Sequence, residues 1–151
     1  MTNIENLQIY DDIVLDTGIF IEYFMLKETK IKKMLREQLF SEDSEIIIHG
    51  HYLIKAEIYY IMCRKIGRDK AEEYLKEIEE FINFISGEFL VQIAGRIKCK
   101  YSIALSDCFS ISLGYFQNCP TFFLEERELS KDLIEKINKD FDTKAYIISE
   151  F

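Results

Sequence analysis

The sequence lacks the short motifs that mark several large classes of enzyme. It contains no GxSxG segment, no phosphate-binding P-loop and no GxGxxG dinucleotide fingerprint. Its four cysteines show no CxxC spacing, and no motif links either of its two histidines to a cysteine. His49 and His51 share one face of a strand-like segment, but without a cysteine partner at zinc spacing they are poor candidates for zinc ligands.

Long apolar runs and flexible linkers are also missing. The longest apolar stretches are about ten residues and are interrupted by charge, which is too short to span a bilayer. Residues 1–6 are polar and acidic, so we expect no signal peptide, no membrane partner and a soluble, cytoplasmic protein. With one proline, six glycines, no repeat and 48% hydrophobic residues, the chain is expected to form a single domain over residues 1–151.

An excess of positive charge is absent, because the formal net charge is −8. This balance argues against a protein that coats nucleic acid through a broad basic surface. It does not exclude a nuclease, since a metal cluster needs acids at its centre and basic residues only along the path to it. Local basic patches occur at residues 27–36 and at Arg96, Lys98 and Lys100, and most of them are expected to be solvated helix faces.

The hydrophobic pattern alternates short strands with helices. It predicts strands at residues 12–15, 44–48, 88–93, 120–124 and 144–149. It predicts helices at residues 19–24, 31–39, 50–66, 68–85, 94–101, 107–116 and 128–138, with Gly67 ending the third and Ser106 capping the sixth. This alternation indicates an α/β fold with a mostly parallel sheet covered on both faces. Ligands of such sheets bind outside the carboxyl ends of the strands.

Four carboxylates lie where a soluble domain has little structural need for them. Asp16 follows an apolar strand, Glu57 lies on the apolar face of a helix, Asp107 opens a later helix, and Glu126 follows a second apolar strand. If the fold brings them together, their repulsion keeps some of them protonated unless a cation neutralises them. Oxygen-only clusters select hard cations such as Mg²⁺ or Mn²⁺. The pattern therefore indicates a metal-dependent hydrolase that acts on phosphodiesters.

Three of these acids also have ordinary structural explanations. Asp16 could cap the helix that follows it, because aspartate accepts backbone N–H bonds at that position. Asp107 could interact favourably with the helix macrodipole in the first turn. Glu57 has apolar or aromatic neighbours three and four residues away, and a buried salt bridge could satisfy it.

The order and spacing of the acids resemble those of the PIN-domain nucleases, in particular the VapC-like toxins of prokaryotic toxin–antitoxin pairs. The resemblance covers nearly the whole chain, and its segments are Ile13-Val14-Leu15-Asp16-Thr17-Gly18, Ala56-Glu57-Ile58-Tyr59, Leu105-Ser106-Asp107-Cys108-Phe109 and residues 123–129. It implies a three-layer α/β/α sandwich with a mostly parallel central sheet. It also implies an acidic pocket for Mg²⁺ or Mn²⁺ in which Asp16, Glu57 and Asp107 are catalytic and hold the metal.

The fourth acid departs from the family pattern. Relatives often carry threonine, any residue and then aspartate before the last helix, where this sequence has Leu124, Glu125 and Glu126. Glu126 is the predicted fourth catalytic and metal-binding acid, with Glu125 and Glu128 as alternatives. A solvated acidic turn explains these glutamates equally well, so the resemblance leaves the number of metal ions open at one or two.

The resemblance implies an endoribonuclease that cleaves single-stranded RNA, leaving a 5′-phosphate and a 3′-hydroxyl. It further implies a small antitoxin protein as partner and a homodimer. Apolar side chains of the first helix could supply the dimer contact or could pack into the core; they are Phe20, Tyr23, Phe24 and Met25.

Two other functions are alternatives to an endoribonuclease. The altered final motif and the acidic balance favour a catalytically degenerate PIN-like module that binds RNA or protein. A phosphatase with Asp16 as nucleophile is less favoured, because such enzymes usually carry a second acid two residues later, where this chain has Gly18.

Overall fold

The computed structural model describes residues 6–25 and 27–148. Within these ranges, five strands and seven α-helices follow a short 3₁₀ helix, Leu7–Ile9. In chain order they are β1 (Asp12–Leu15), α1 (Thr17–Phe24), α2 (Lys30–Gln38), β2 (Ile47–His51), α3 (Leu53–Ile66), α4 (Arg68–Glu79), β3 (Ile82–Ile85), α5 (Phe89–Lys100), α6 (Leu105–Gln117), β4 (Thr121–Leu124), α7 (Lys131–Phe141) and β5 (Ala145–Ile148).

The five strands form one parallel sheet in the order β3-β2-β1-β4-β5. The chain builds outward from β1 to β3 on one side and from β4 to β5 on the other, so the order reverses between β1 and β4. Open parallel sheets form their ligand crevice at the carboxyl ends of the two strands beside such a reversal. Asp16 directly follows β1, and Glu126 is the second residue after β4, so both lie at this crevice.

A separate apolar core covers each face of the sheet. Along β1, Ile13 and Leu15 face the core formed with α1–α4, whereas Val14 faces the core formed with α5–α7. This alternation follows from the two-residue period of a strand. The predicted α/β class and three-layer α/β/α sandwich are therefore confirmed.

The aromatic residues of α1 pack inward. Phe20 is fully buried, the ring of Tyr23 lies 4.5 Å from that of Phe40, and Phe24 stacks on Tyr74 at 4.5 Å. Of the two roles considered for these side chains, the structure shows core packing. Phe20 offers no surface for a dimer contact.

Two predicted boundaries around β2 are wrong. The strand covers Ile47–His51 rather than residues 44–48, and α3 begins at Leu53 rather than at residue 50. The segment continues as a strand through His49 and His51 because it pairs with a neighbour on each side and both imidazoles find buried polar contacts. Gly67 ends α3 as predicted, at a φ of 91° that favours glycine.

Two longer elements were also predicted wrongly. The helix predicted over residues 68–85 ends at Glu79, and Ile82–Ile85 pair with β2 as the edge strand β3. Apolar residues at positions 78, 81, 82 and 85 fit a helical period. From position 82 onward, however, the chain forms a strand, because these residues pair with β2. The strand predicted at residues 88–93 belongs to α5, since Leu90, Ala94 and Ile97 lie on one helical face and are buried together.

The remaining elements lie close to their predicted positions. Strand β1 is as predicted, and β4 begins one residue after the predicted start at residue 120. Helix α6 begins at Leu105, so Ala104 rather than Ser106 occupies the N-cap. Helix α7 begins three residues after the predicted start at residue 128, and β5 covers Ala145–Ile148. Residue 149 of the predicted strand and residues 1–5 of the polar N-terminus lie outside the described ranges. Among residues 6–25 and 27–148, no helix combines the length and apolar character that a membrane crossing requires.

Candidate active site

Asp16 is buried at the crevice, with 6% of its surface exposed. It occupies the N-cap position of α1, yet within the described residues its side chain makes no capping hydrogen bond to that helix. Instead, Oδ1 accepts a hydrogen bond of 2.9 Å from the Ser110 hydroxyl of α6. Packing of α6 against β1 therefore orients this carboxylate, and capping of α1 alone does not explain its position.

Asp107 lies in the first turn of α6 and donates a hydrogen bond to Asp16. Burial, followed by repulsion from Asp16, Glu126 and Glu57, raises the pKa of Asp107 to about 8. Burial and the charge of Glu57 also raise the pKa of Asp16 to about 6, although the hydrogen bonds from Ser110 and Asp107 oppose the shift. Two carboxyl groups in contact cannot both ionise at low cost, so near pH 7 the pair holds a shared proton. The macrodipole explanation for Asp107 predicts a lowered pKa and is insufficient.

Glu57 projects from α3 toward the same place. Its Oε1 accepts hydrogen bonds from the Thr17 hydroxyl at 2.9 Å and from the Ser106 hydroxyl. Its charge contributes to the raised pKa of Asp16 and of Asp107. In the part of the chain that the structure describes, no lysine or arginine forms an ion pair with it, so a buried salt bridge does not explain its position.

Glu126 lies at the exposed rim of the crevice, in a turn closed by a bridge to Leu129. Its Oε1 lies 3.5 Å from the point that a Cβ on Gly18 would occupy, so the carboxylate reaches the first turn of α1. Its charge contributes to the raised pKa of Asp107. Glu125 and Glu128 are also exposed, and these contacts favour Glu126 as the fourth acid.

We refer to Asp16, Glu57, Asp107 and Glu126 as the carboxylate cluster. Its donor atoms are all oxygens, which hard divalent cations prefer as ligands. Mutual repulsion also disfavours ionisation of all four acids unless a cation neutralises their charge. Across residues 6–25 and 27–148, no group of three or more His, Cys, Asp or Glu side chains is arranged closely enough to hold a metal ion. The four acids act on one another electrostatically, and it is the chemistry of their donor atoms that fits Mg²⁺ or Mn²⁺.

The sequence did not reveal the hydroxyl groups that hold the cluster. Ser106 and Ser110 lie four residues apart on α6, and they donate to Glu57 and Asp16 respectively. Thr17 supplies the third donor, again to Glu57. Two serines four residues apart on one face of a largely apolar helix are a signal that could have identified them.

The two histidines have separate surroundings and do not form a zinc pair. His49 lies between Asp12, at 2.9 Å, and Asn83, at 3.1 Å, in a polar row across three strands. His51 is fully buried, and its Nε2 lies 3.3 Å from the Ser106 hydroxyl oxygen. Burial lowers the pKa of His51 to about 4, although its contact with Ser106 opposes the shift, so the imidazole is neutral at pH 7.

Several residues of the predicted basic patches have local partners. Arg36 pairs with Glu28, Lys100 pairs with Asp140 at 2.6 Å, and Lys98 donates to the Ile103 carbonyl at 2.7 Å. The Lys98 contact holds the loop that leads into α6 and Asp107. These cations therefore support local structure on the protein surface.

Comparison with known proteins gives a family and a set of similar folds. A family model described as PIN domain matches residues 13–144, which include all four acids of the cluster. No curated protein sequence gives a significant match to the chain.

Three solved structures illustrate the similarity of fold. VapBC2 from Rickettsia felis, bound to a DNA fragment from its promoter, has 12% identity and a TM-score of 0.66 over 91% of this chain and 99% of that one. VapC20 from Mycobacterium tuberculosis, a Sarcin-Ricin loop cleaving toxin, has 11% identity and a TM-score of 0.61 over 82% and 94%. VapBC-1 from nontypeable Haemophilus influenzae has 15% identity and a TM-score of 0.61 over 90% and 97%. At such identities the likeness establishes the shared fold.

Proposed function

Because the chain belongs to the PIN domain family, we propose that it is a metal-dependent endoribonuclease that hydrolyses single-stranded RNA. Asp16, Glu57, Asp107 and Glu126 serve as its catalytic and metal-binding acids. The observation that carries this proposal is the electrostatic coupling of carboxylates from four separate segments of the chain at the sheet crevice. Bringing these carboxylates together costs free energy through burial and repulsion, and a bound divalent cation would offset that cost.

A bound Mg²⁺ or Mn²⁺ supplies an acidified water and neutralises charge that develops on the scissile phosphate. The chain's own residues prepare this site. Ser110 orients Asp16, while Thr17 and Ser106 hold Glu57. The proton shared by Asp16 and Asp107 has to leave for both carboxylates to act as ligands, which couples activity to pH.

We also propose a small antitoxin protein as partner, a homodimer and a cytoplasmic location. For the antitoxin partner, support comes from the structural neighbours, which include VapBC assemblies and a toxin–antitoxin complex. One neighbour is described as a toxin that cleaves the Sarcin-Ricin loop, which supports RNA as the substrate class. Cleavage is expected to leave a 5′-phosphate and a 3′-hydroxyl.

The direct test is cleavage of a labelled single-stranded RNA by the purified full chain in Mg²⁺ or Mn²⁺. Asp16→Asn and Asp107→Asn should each lower the rate by at least about a hundredfold, since even the loss of an outer partner of a metal ligand costs up to that factor. Asp132→Asn is the matched control, because Asp132 is an exposed acid in the first turn of α7 and lies outside the cluster. Cleavage by Asp107→Asn at the wild-type rate would contradict the assignment.

The exposed position of Glu126 favours a second candidate, a degenerate PIN-like module that binds RNA or protein without cleaving it. A module of this kind binds RNA equally well with and without divalent cations. It also leaves the RNA intact at long incubation times. Gel-shift and cleavage measurements on the same samples distinguish the two functions.

A further inference from the structure

Three polar side chains, His51, Ser106 and Glu57, form a connected row that starts at the carboxyl end of β2. His51 lies at the carboxyl end of β2 and is fully buried. Its Nε2 lies 3.3 Å from the hydroxyl oxygen of Ser106, and the same hydroxyl contacts Oε1 of Glu57. Three elements that are distant in sequence, β2, α6 and α3, thus meet through one hydroxyl group.

The chemistry of the three groups determines the direction of the hydrogen bonds. The Ser106 hydroxyl donates a hydrogen bond to Oε1 of Glu57. The Ser106 oxygen then accepts from His51, which places the imidazole proton on Nε2. The Nδ1 atom is left as an unprotonated acceptor, in agreement with its having no hydrogen-bond partner among the described residues. An unprotonated Nδ1 also agrees with a neutral His51.

The same contacts divide the two oxygens of Glu57 between different roles. Oε1 receives both hydroxyl donors, from Thr17 and from Ser106. No residue within the described ranges donates to Oε2, whose lone pairs therefore remain available. A carboxylate held by one oxygen presents the other in a fixed direction.

We propose that His51 is a positioning residue whose Nε2–H fixes the Ser106 hydroxyl as a donor to Glu57 and thereby directs Oε2 of Glu57 toward the cation. The inference rests on the proposed function, because it takes Glu57 to be a metal ligand. Outer partners that orient a ligand typically change metal affinity by 10- to 100-fold when they are removed.

A simpler role for His51 is to fill space, since its ring packs 5.7 Å from that of Phe109. Two substitutions separate the roles. His51→Leu fills a similar volume without a donor, whereas His51→Gln keeps an N–H group at a similar distance from the backbone. A purely structural role predicts that glutamine offers no advantage over leucine in binding metal.

Calorimetric titration of the metal-free full chain with Mn²⁺ tests the inference. We expect His51→Leu and Ser106→Ala to bind Mn²⁺ 10- to 100-fold more weakly than wild type and His51→Gln to bind close to wild type. Two matched controls keep wild-type affinity. His49→Leu removes the other buried histidine of β2, and Ser112→Ala removes a buried α6 hydroxyl that donates to the Leu90 carbonyl at 2.8 Å.

The outcomes separate this inference from the proposed function. Wild-type affinity in His51→Leu, or equal weakening in the leucine and glutamine variants, overturns the role of His51 and leaves the nuclease proposal standing. If circular dichroism shows that His51→Leu does not fold, Ser106→Ala decides, and wild-type affinity in that variant overturns the inference. Absence of Mn²⁺ binding by the wild-type chain overturns both.

Discussion

Replacing Asp107 with asparagine should stabilise the metal-free protein, and the gain should grow with pH. The pKa of Asp107 is raised from 3.8 to about 8 by burial and by repulsion from the other acids. Between these two values the native state binds more protons than the unfolded state, so native stability falls as the pH rises. Asparagine removes this penalty, and its N–H group can still donate to Asp16.

The size of the gain follows from the pKa shift. One pKa unit corresponds to about 1.4 kcal/mol. Because Asp107 is only partly buried and its surroundings relax, we discount the full shift to a gain of about 1–3 kcal/mol at pH 8. For a chain of this length the gain corresponds to a rise in melting temperature of roughly 2–10 °C. At pH 5 the expected gain is smaller, and below pH 4 it should disappear.

Thermal melts in EDTA between pH 4 and 8 measure this effect. Asp132→Asn serves as control, because it removes a first-turn acid that is exposed and should cost a few tenths of a kcal/mol through the helix macrodipole. A lower melting temperature for Asp107→Asn at pH 8, or a gain that does not depend on pH, would refute the electrostatic reasoning. Such a result would favour a structural role for Asp107.

Three further predictions concern the surroundings of the cluster. Ser110→Ala removes a donor that lowers the pKa of Asp16, so it should destabilise the protein by about 1 kcal/mol at pH 8 and by less at pH 5, as urea denaturation would show. Gly114→Ala should cost about 1–3 kcal/mol in the same assay, because its Cβ would lie 2.1 Å from Oγ1 of Thr121; an unchanged midpoint would contradict this close packing. Gly18→Ala should instead add about 0.5 kcal/mol, since the nearest atom to its Cβ is 3.5 Å away and alanine favours helix; a clear loss of stability would show that α1 cannot accommodate the methyl group.

The parallel sheet and the presence of acids at one edge of it could be predicted because they follow from simple rules. Apolar runs that end in an acid mark buried parallel strands, and the carboxyl ends of such strands share one edge. This rule placed Asp16 and the acidic turn after β4 at that edge, but it did not choose among Glu125, Glu126 and Glu128. Glu57 followed from its place on an apolar helix face, where a charge needs a partner.

Features that depend on packing between distant segments could not be predicted from the sequence. Whether Asp16 caps α1 or turns toward α6 depends on Ser110, which is 94 residues away. The apolar residues near β3 fit both a helical period and a strand, and pairing with β2 decides between them. His51 gave no signal of its own, because its contact with Ser106 exists only after β2 and α6 have packed together.

Calorimetric titration with Mn²⁺ at pH 7, in two buffers of different ionisation enthalpy, tests most directly whether the carboxylate cluster is a cation site. The protonated pair of Asp16 and Asp107 predicts that binding releases roughly one proton, and that Asp107→Asn abolishes this release and weakens binding. Binding without proton release, with equal affinity in the variant, would contradict the account and would place the cation elsewhere.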